Sequence, residues 1–257
     1  VKSLLHRDAL MPWARSGGLA ILLIITVVAW ALLFRSHSIA PEATHTPAPS
    51  IQPPSSSPTE AAADSRPSSD TDEDLPVAVF VGASYATGAG ATFPESRWTA
   101  LLAEQQGWDE VNLAQGGTGY LASPVVDGAE RLAYGDLVDQ IIAAEPDVVV
   151  ISGGRDDVGE PPFEIQQAAT SLFGQLTQAL PNAQIFVVNP WWDATEQPIG
   201  LAEVAGAVEA AASQTGVTYI DTGQPLSDPA LLSENIVDPN DQGHLALAEA
   251  VAQAISG

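Results

Sequence analysis

From residue 75 onward the chain alternates short apolar runs with longer stretches of helical period. The runs are Val77–Val81, Glu110–Leu113, Asp147–Ile151, Ala183–Val188 and Val217–Ile220. Apolar residues recur at helical spacing over Ser96–Gln106, Gly128–Ala144, Pro162–Leu180, Gly200–Gln214 and Gln242–Ile255. Val148-Val149-Val150-Ile151 and Ile185-Phe186-Val187-Val188 are continuous rather than alternating, as in strands buried on both faces. This order predicts right-handed βαβ units and a parallel sheet of about five strands between two helical layers, a three-layer α/β/α sandwich. No internal repeat is visible.

The first 74 residues follow another pattern. Residues 16–34 carry no charge and lie between Arg15 and Arg35. About 20 residues at 1.5 Å rise cross a hydrocarbon core, so residues 16–35 predict one transmembrane signal anchor. Ala29-Trp30-Ala31 leaves signal cleavage open. Lys2, Arg7 and Arg15 precede the segment and Arg35 alone closely follows it, which predicts a cytoplasmic N-terminus over 1–15. Everything after residue 35 is then extracytoplasmic. Residues 36–74, rich in Pro, Ser, Thr and Ala, cannot bury enough surface to offset chain entropy and read as a disordered linker. The folded domain is 75–257.

Charge narrows the partners. The chain carries a formal charge of −24 and no cysteine. Within 75–257 only Arg97, Arg131 and Arg155 are fixed cations, against 24 acidic residues. Such a field argues against nucleic acid and anionic membrane surfaces. One histidine in the domain and no cysteine argue against a transition-metal centre, and no cofactor is expected. A calcium site among Asp156, Asp157, Asp238 and Asp241 stays open, whereas Gly82 to Gly90 lacks the spacing of a dinucleotide loop.

Ligands of parallel sheets bind at the carboxyl ends of strands. Those ends read Gly82-Ala83-Ser84, Gly116-Gly117-Thr118-Gly119-Tyr120, Gly153-Gly154-Arg155-Asp156-Asp157 and Asn189-Pro190-Trp191-Trp192. Asp221 ends the last strand, and Asp238-Pro239-Asn240-Asp241-Gln242-Gly243-His244 opens the final helix. A serine just after the first strand stands where such a fold presents a nucleophile. Trp191 and Trp192 either wall a pocket for sugar or acyl groups or pack internally. Arg155 either pairs with a rim carboxylate or anchors an anionic substrate.

In this order the blocks resemble the SGNH/GDSL serine esterases and acyl hydrolases, over the whole of 75–257. The resemblance implies a flavodoxin-like SGNH-hydrolase fold and a small-molecule or glycan-linked carboxylic ester as substrate. It also implies Ser84 as nucleophile and a Gly117 amide in the oxyanion hole. The family's residue before the nucleophile, Asp, is Ala83 here. Its oxyanion Asn falls on Asp156. With the Pro-Asn and Gly-His pairs as anchors, its catalytic His falls on Asp238 and the orienting Asp on Asn235. A rival register takes Asp241-Gln242-Gly243-His244 as the Asp-x-x-His itself, with His244 as base.

Each departure has a chemical cost. A serine needs a base poised near the working pH. Carboxylates titrate near about 4, so an aspartate in that place is ionised but a weak proton acceptor. An ionised Asp156 would direct negative charge at an oxyanion and could donate only when protonated, which Asp156 and Asp238 sharing a proton would favour. Two readings follow: an ester hydrolase of impaired catalysis, or a non-catalytic relative binding glycans or acyl groups.

Overall fold

The computed structural model describes residues 75–257, so the expected anchor and linker lie outside the described residues. Strands β1 (Val77–Val81), β2 (Asp109–Asn112), β5 (Val148–Ser152), β6 (Gln184–Val188) and β7 (Thr218–Ile220) form one sheet. Its order is β2-β1-β5-β6-β7, and every neighbouring pair is parallel. The helices are α1 (Ser84–Thr87), α2 (Trp98–Gln106), α3 (Val138–Ala143), α4 (Pro162–Ala179), α5 (Ile199–Thr215) and α6 (Asp241–Ser256). The expected three-layer α/β/α sandwich with a five-stranded parallel sheet is therefore present. Among the described residues no helix is long and apolar enough to cross a membrane.

The pleat sorts the core into two layers. Val79, Val81, Val149, Ile151, Ile185 and Val187 face α3, α4 and α5. Ala78, Phe80, Val148, Val150, Phe186 and Val188 face α2 and α6. Adjacent residues of one strand thus enter opposite cores, which is why these strands are apolar at every position. The chain passes from β1 to β2 on one side, then returns to pair β5 against the other side of β1. The switch point opens at the carboxyl ends of β1 and β5, where Ser84 and Arg155–Asp157 emerge.

One element departs from expectation. The helix read over Gly128–Ala144 is confined to Val138–Ala143, after a 3₁₀ turn at Tyr134–Leu137. Before it stands a hairpin of β3 (Val125–Val126) and β4 (Ala129–Glu130). Asp127 (φ 53°) and Gly128 (φ 80°) both occupy the left-handed region, the requirement of a two-residue type I′ turn. The Asp-Gly pair was the available signal for it.

Candidate active site

Ser84 is the first residue of α1, whose first turn is closed by the Ala86 and Thr87 N–H groups donating to Ala83 O. Gly82 permits this close turn: a β-carbon there would lie 2.6 Å from Ala86 Cβ and 2.8 Å from Ser152 Oγ. The serine lines a small cleft with Tyr85, Gly153, Arg155 and Trp191. Its hydroxyl has no hydrogen-bond partner among the described residues.

The glycine loop after β2 reaches the same place. A β-carbon on Gly116 would sit 3.8 Å from both Cα and Cβ of Ser84. Gly117 follows with φ 79° in a turn closed by Thr118 N–H donating to Gln115 O at 3.3 Å. Asp157, fully buried, accepts the N–H groups of Tyr120, Leu121 and Ala122 at 2.8, 2.9 and 2.8 Å. That carboxylate binds the loop after β2 to the loop after β5. Gly119 makes room for it, since any β-carbon there would overlap the carboxylate.

Asp156 is exposed beside Asp157 and has no hydrogen bond within the described domain. Removal of water around its carboxyl raises its pKa above the ordinary value, reinforced by Asp157 and opposed by Arg155. Asp156 is not among the residues lining the cleft beside Ser84. Asp238 pairs with another group: Asn235 Nδ2 donates to Asp238 Oδ2 at 2.6 Å, so the recorded partner is an amide and not Asp156. Asn235 Oδ1 in turn accepts the N–H groups of Val237 and Asp238, both at 2.9 Å. The amide is thereby oriented and the carboxylate held. This loop packs on the serine helix through Tyr85 OH, which donates to Val237 O at 2.8 Å. A β-carbon on Gly90 would lie 3.1 Å from Asp238 Cβ, so that contact is equally close.

His244 is wholly buried in the first turn of α6. Its Nδ1 accepts the Trp98 N–H at 3.3 Å, and its Nε2 lies 3.1 Å from Ala89 O, to which it donates in the matching tautomer. Burial lowers its pKa, against the pull of the Ala89 carbonyl and the charges of Asp241 and Asp238. With both ring nitrogens occupied, the ring ties α6 to the start of α2 and to the loop behind Ser84. It has no lone pair to offer a serine, so this geometry opposes the rival register. Asn240 caps the same helix, accepting Gly243 N–H at 3.0 Å.

Arg155 forms the ion pair expected of it, with Asp193 at 2.8 Å. It also donates to Tyr85 OH and lies over the Trp192 ring, 4.2 Å from its centroid. Burial pushes Asp193 up, but Thr195 and Arg155 outweigh it and hold its carboxyl below the ordinary value. Trp191 lines the cleft and also packs edge-on against Trp98, as the packing role weighed for it requires. Among the described residues no three acidic or histidine side chains converge as a cation site would require, which leaves the four aspartates without calcium geometry. Sequence reasoning did not single out Arg131, whose guanidinium donates to Gly116 O beside Ser84.

A family model described as GDSL-like lipase/acylhydrolase matches residues 80–246. A GDSL lipase of Mycobacterium tuberculosis is 29% identical over 196 residues, which cover 70% of this chain and 81% of that protein. Among solved structures, the psychrotrophic esterase EstA from Pseudoalteromonas sp. superposes with a TM-score of 0.55 at 17% identity, over 70% of this chain and 97% of its own. Est24, a carbohydrate acetylesterase from Sinorhizobium meliloti, gives 0.53 at 19% identity, over 70% and 98%. At those identities the structural likeness speaks for the fold. The family match spans every block of the site from β1 to the opening of α6, and the chain belongs to the GDSL-like lipase/acylhydrolase family.

Proposed function

We propose that this protein is a slow carboxylic ester hydrolase held outside the membrane by residues 16–35. Ser84 attacks the ester carbonyl, and the amide of Gly117 with that of Ser84 receives the oxyanion. Asp238 takes the serine proton and gives it to the alcohol as the ester C–O bond breaks, water activated by the same carboxylate then releases the acyl group from Ser84, and Asp156 donates to the oxyanion while protonated. One observation carries the reading. On a loop packed against the serine helix, Asn235 Nδ2 donates to Asp238 Oδ2 at 2.6 Å, and these are the two residues on which the resemblance lays the orienting acid and the base. The substrate is a lipid, acyl or acetyl ester of envelope or extracellular material, in keeping with the names of the esterase relatives.

A carboxylate base and an acid oxyanion donor make turnover low compared with a histidine-based site. The pH dependence follows from Asp156. Only its protonated form donates, and its pKa stands above the ordinary carboxyl value, so the rate falls as pH rises through that raised value. The free Ser84 hydroxyl favours a second reading, a non-catalytic site that binds the ester or acyl group without cleaving it. Labelling by a fluorophosphonate and hydrolysis of short aryl esters separate the two. The hydrolase reading expects both in wild type and neither in Ser84→Ala; retained ester binding with no Ser84-dependent turnover leaves the binding module.

A further inference from the structure

Arg131 is the one arginine of the described domain without a carboxylate partner. Arg97 pairs with Glu110 at 2.6 Å and Arg155 with Asp193 at 2.8 Å. In a domain with 24 acidic residues, an unpaired guanidinium calls for an explanation. It is held from both sides. Arg131 N–H donates to Pro124 O at 2.9 Å, and Ser123 Oγ donates to Arg131 O at 2.6 Å. Next to it, Leu132 N–H donates to Gln115 Oε1 at 3.0 Å. The β3–β4 hairpin thus closes on the glycine loop and carries the guanidinium onto Gly116 O. A β-carbon on Gly116 would stand 2.8 Å from Arg131 Nη1 and 3.8 Å from Ser84 Cβ, so all three groups share one small region.

The bond to Gly116 O has a directional consequence. Gln115–Thr118 is a turn with Gly117 at φ 79°, the value type II geometry requires at its third residue. Types I and II differ in which way the central peptide faces. In a trans peptide the carbonyl and the N–H point in opposite directions. Arg131 on the Gly116 carbonyl therefore selects the facing that turns the Gly117 N–H away from it. That N–H has no partner among the described residues. A cationic donor on the carbonyl also polarises the same peptide and strengthens its N–H as a donor.

We infer that Arg131 is a positioning residue of the oxyanion hole, fixing the Gly116–Gly117 peptide so that Gly117 N–H is aimed and polarised for the tetrahedral anion at Ser84. This deepens the ester-hydrolase reading and rests on it.

The test uses the full chain labelled with ¹⁵N-glycine, as wild type, Arg131→Gln and Arg131→Lys. Two quantities are read: the Gly117 amide resonance, and the second-order rate of Ser84 phosphonylation by an ethyl fluorophosphonate. Arg131→Gln is expected to move the resonance and to slow phosphonylation by roughly 10- to 100-fold, a fraction of what loss of an oxyanion donor costs. Ester kcat falls with it while KM holds, and Arg131→Lys recovers part of each. An unmoved Gly117 resonance overturns the inference. So does a moved resonance with unchanged phosphonylation, or a change confined to KM, which would make Arg131 a loop fastener or a substrate contact. If wild-type Ser84 neither reacts nor hydrolyses ester, the hydrolase reading fails by itself, and the Gly117 resonance decides for Arg131.

Discussion

At the level of single residues, the proposed site sets a serine at the end of β1 among acids and amides in exchanged roles. Gly116 approaches Ser84 and Gly117 follows it in the same turn, and in the proposed reading Asp156, Asn235 and Asp238 place acids and amides in each other's roles. Asp156 is the residue on which the exchange weighs most, because an acid is an oxyanion donor only while it keeps its proton. Asp156→Asn is therefore expected to raise kcat for aryl esters by about tenfold or more at neutral pH and to flatten the decline toward alkaline pH. Equal rates for the two proteins at pH 7 would remove Asp156 from the oxyanion hole. The residue identities behind these statements were legible in the sequence, since each block is local. Their pairings were not. That Asn235 donates to Asp238, and that Asp157 accepts three N–H groups from residues more than thirty positions away, depends on loops brought together only by the sheet.

At the level of elements, β1, β5 and β6 were readable because burial on both faces makes them almost wholly apolar, and the long helices because their period persists for several turns. The segment 128–137, read as the start of a helix, was not read correctly. Its apolar residues mimic helical spacing, but Asp127 and Gly128 in the left-handed region fold it into a hairpin, and that hairpin delivers Arg131 to the site. The start of α6 shows the opposite case, in which one histidine admitted a catalytic and a structural reading. Tertiary contacts favour the second: His244 binds Trp98 N–H and Ala89 O from a wholly buried position. His244→Ala is expected to cost about 2–4 kcal/mol in urea unfolding, from the lost ring and two unsatisfied backbone groups. The ester rate per folded molecule should stay at the wild-type value; its loss, with stability intact, would restore His244 as the base. Burial keeps this ring neutral, with a pKa below its ordinary 6.5. Its contribution to stability is full above that value and shrinks as pH falls through it, because the unfolded chain takes up a proton that the buried ring refuses.

At the level of the whole molecule, the fold supplies a rim at the switch point between β1 and β5, and the chemistry depends on which groups occupy it. Exchanging three of them should change the activity without changing the scaffold. The variant Asp156→Asn/Asn235→Asp/Asp238→His is expected to exceed wild type by about a hundredfold or more in kcat. No gain in a folded variant would mean that the loop carrying Asp238 does not reach the serine. The strong negative charge of the domain repels anionic ligands. The most direct measurement of the central claim is the pH–rate profile of aryl ester hydrolysis by the purified protein beside Ser84→Ala. The account predicts a slow, Ser84-dependent rate that is greater at acidic than at neutral pH and declines as pH rises. A rate equal to that of Ser84→Ala at every pH, or one that climbs toward alkaline pH, would contradict it.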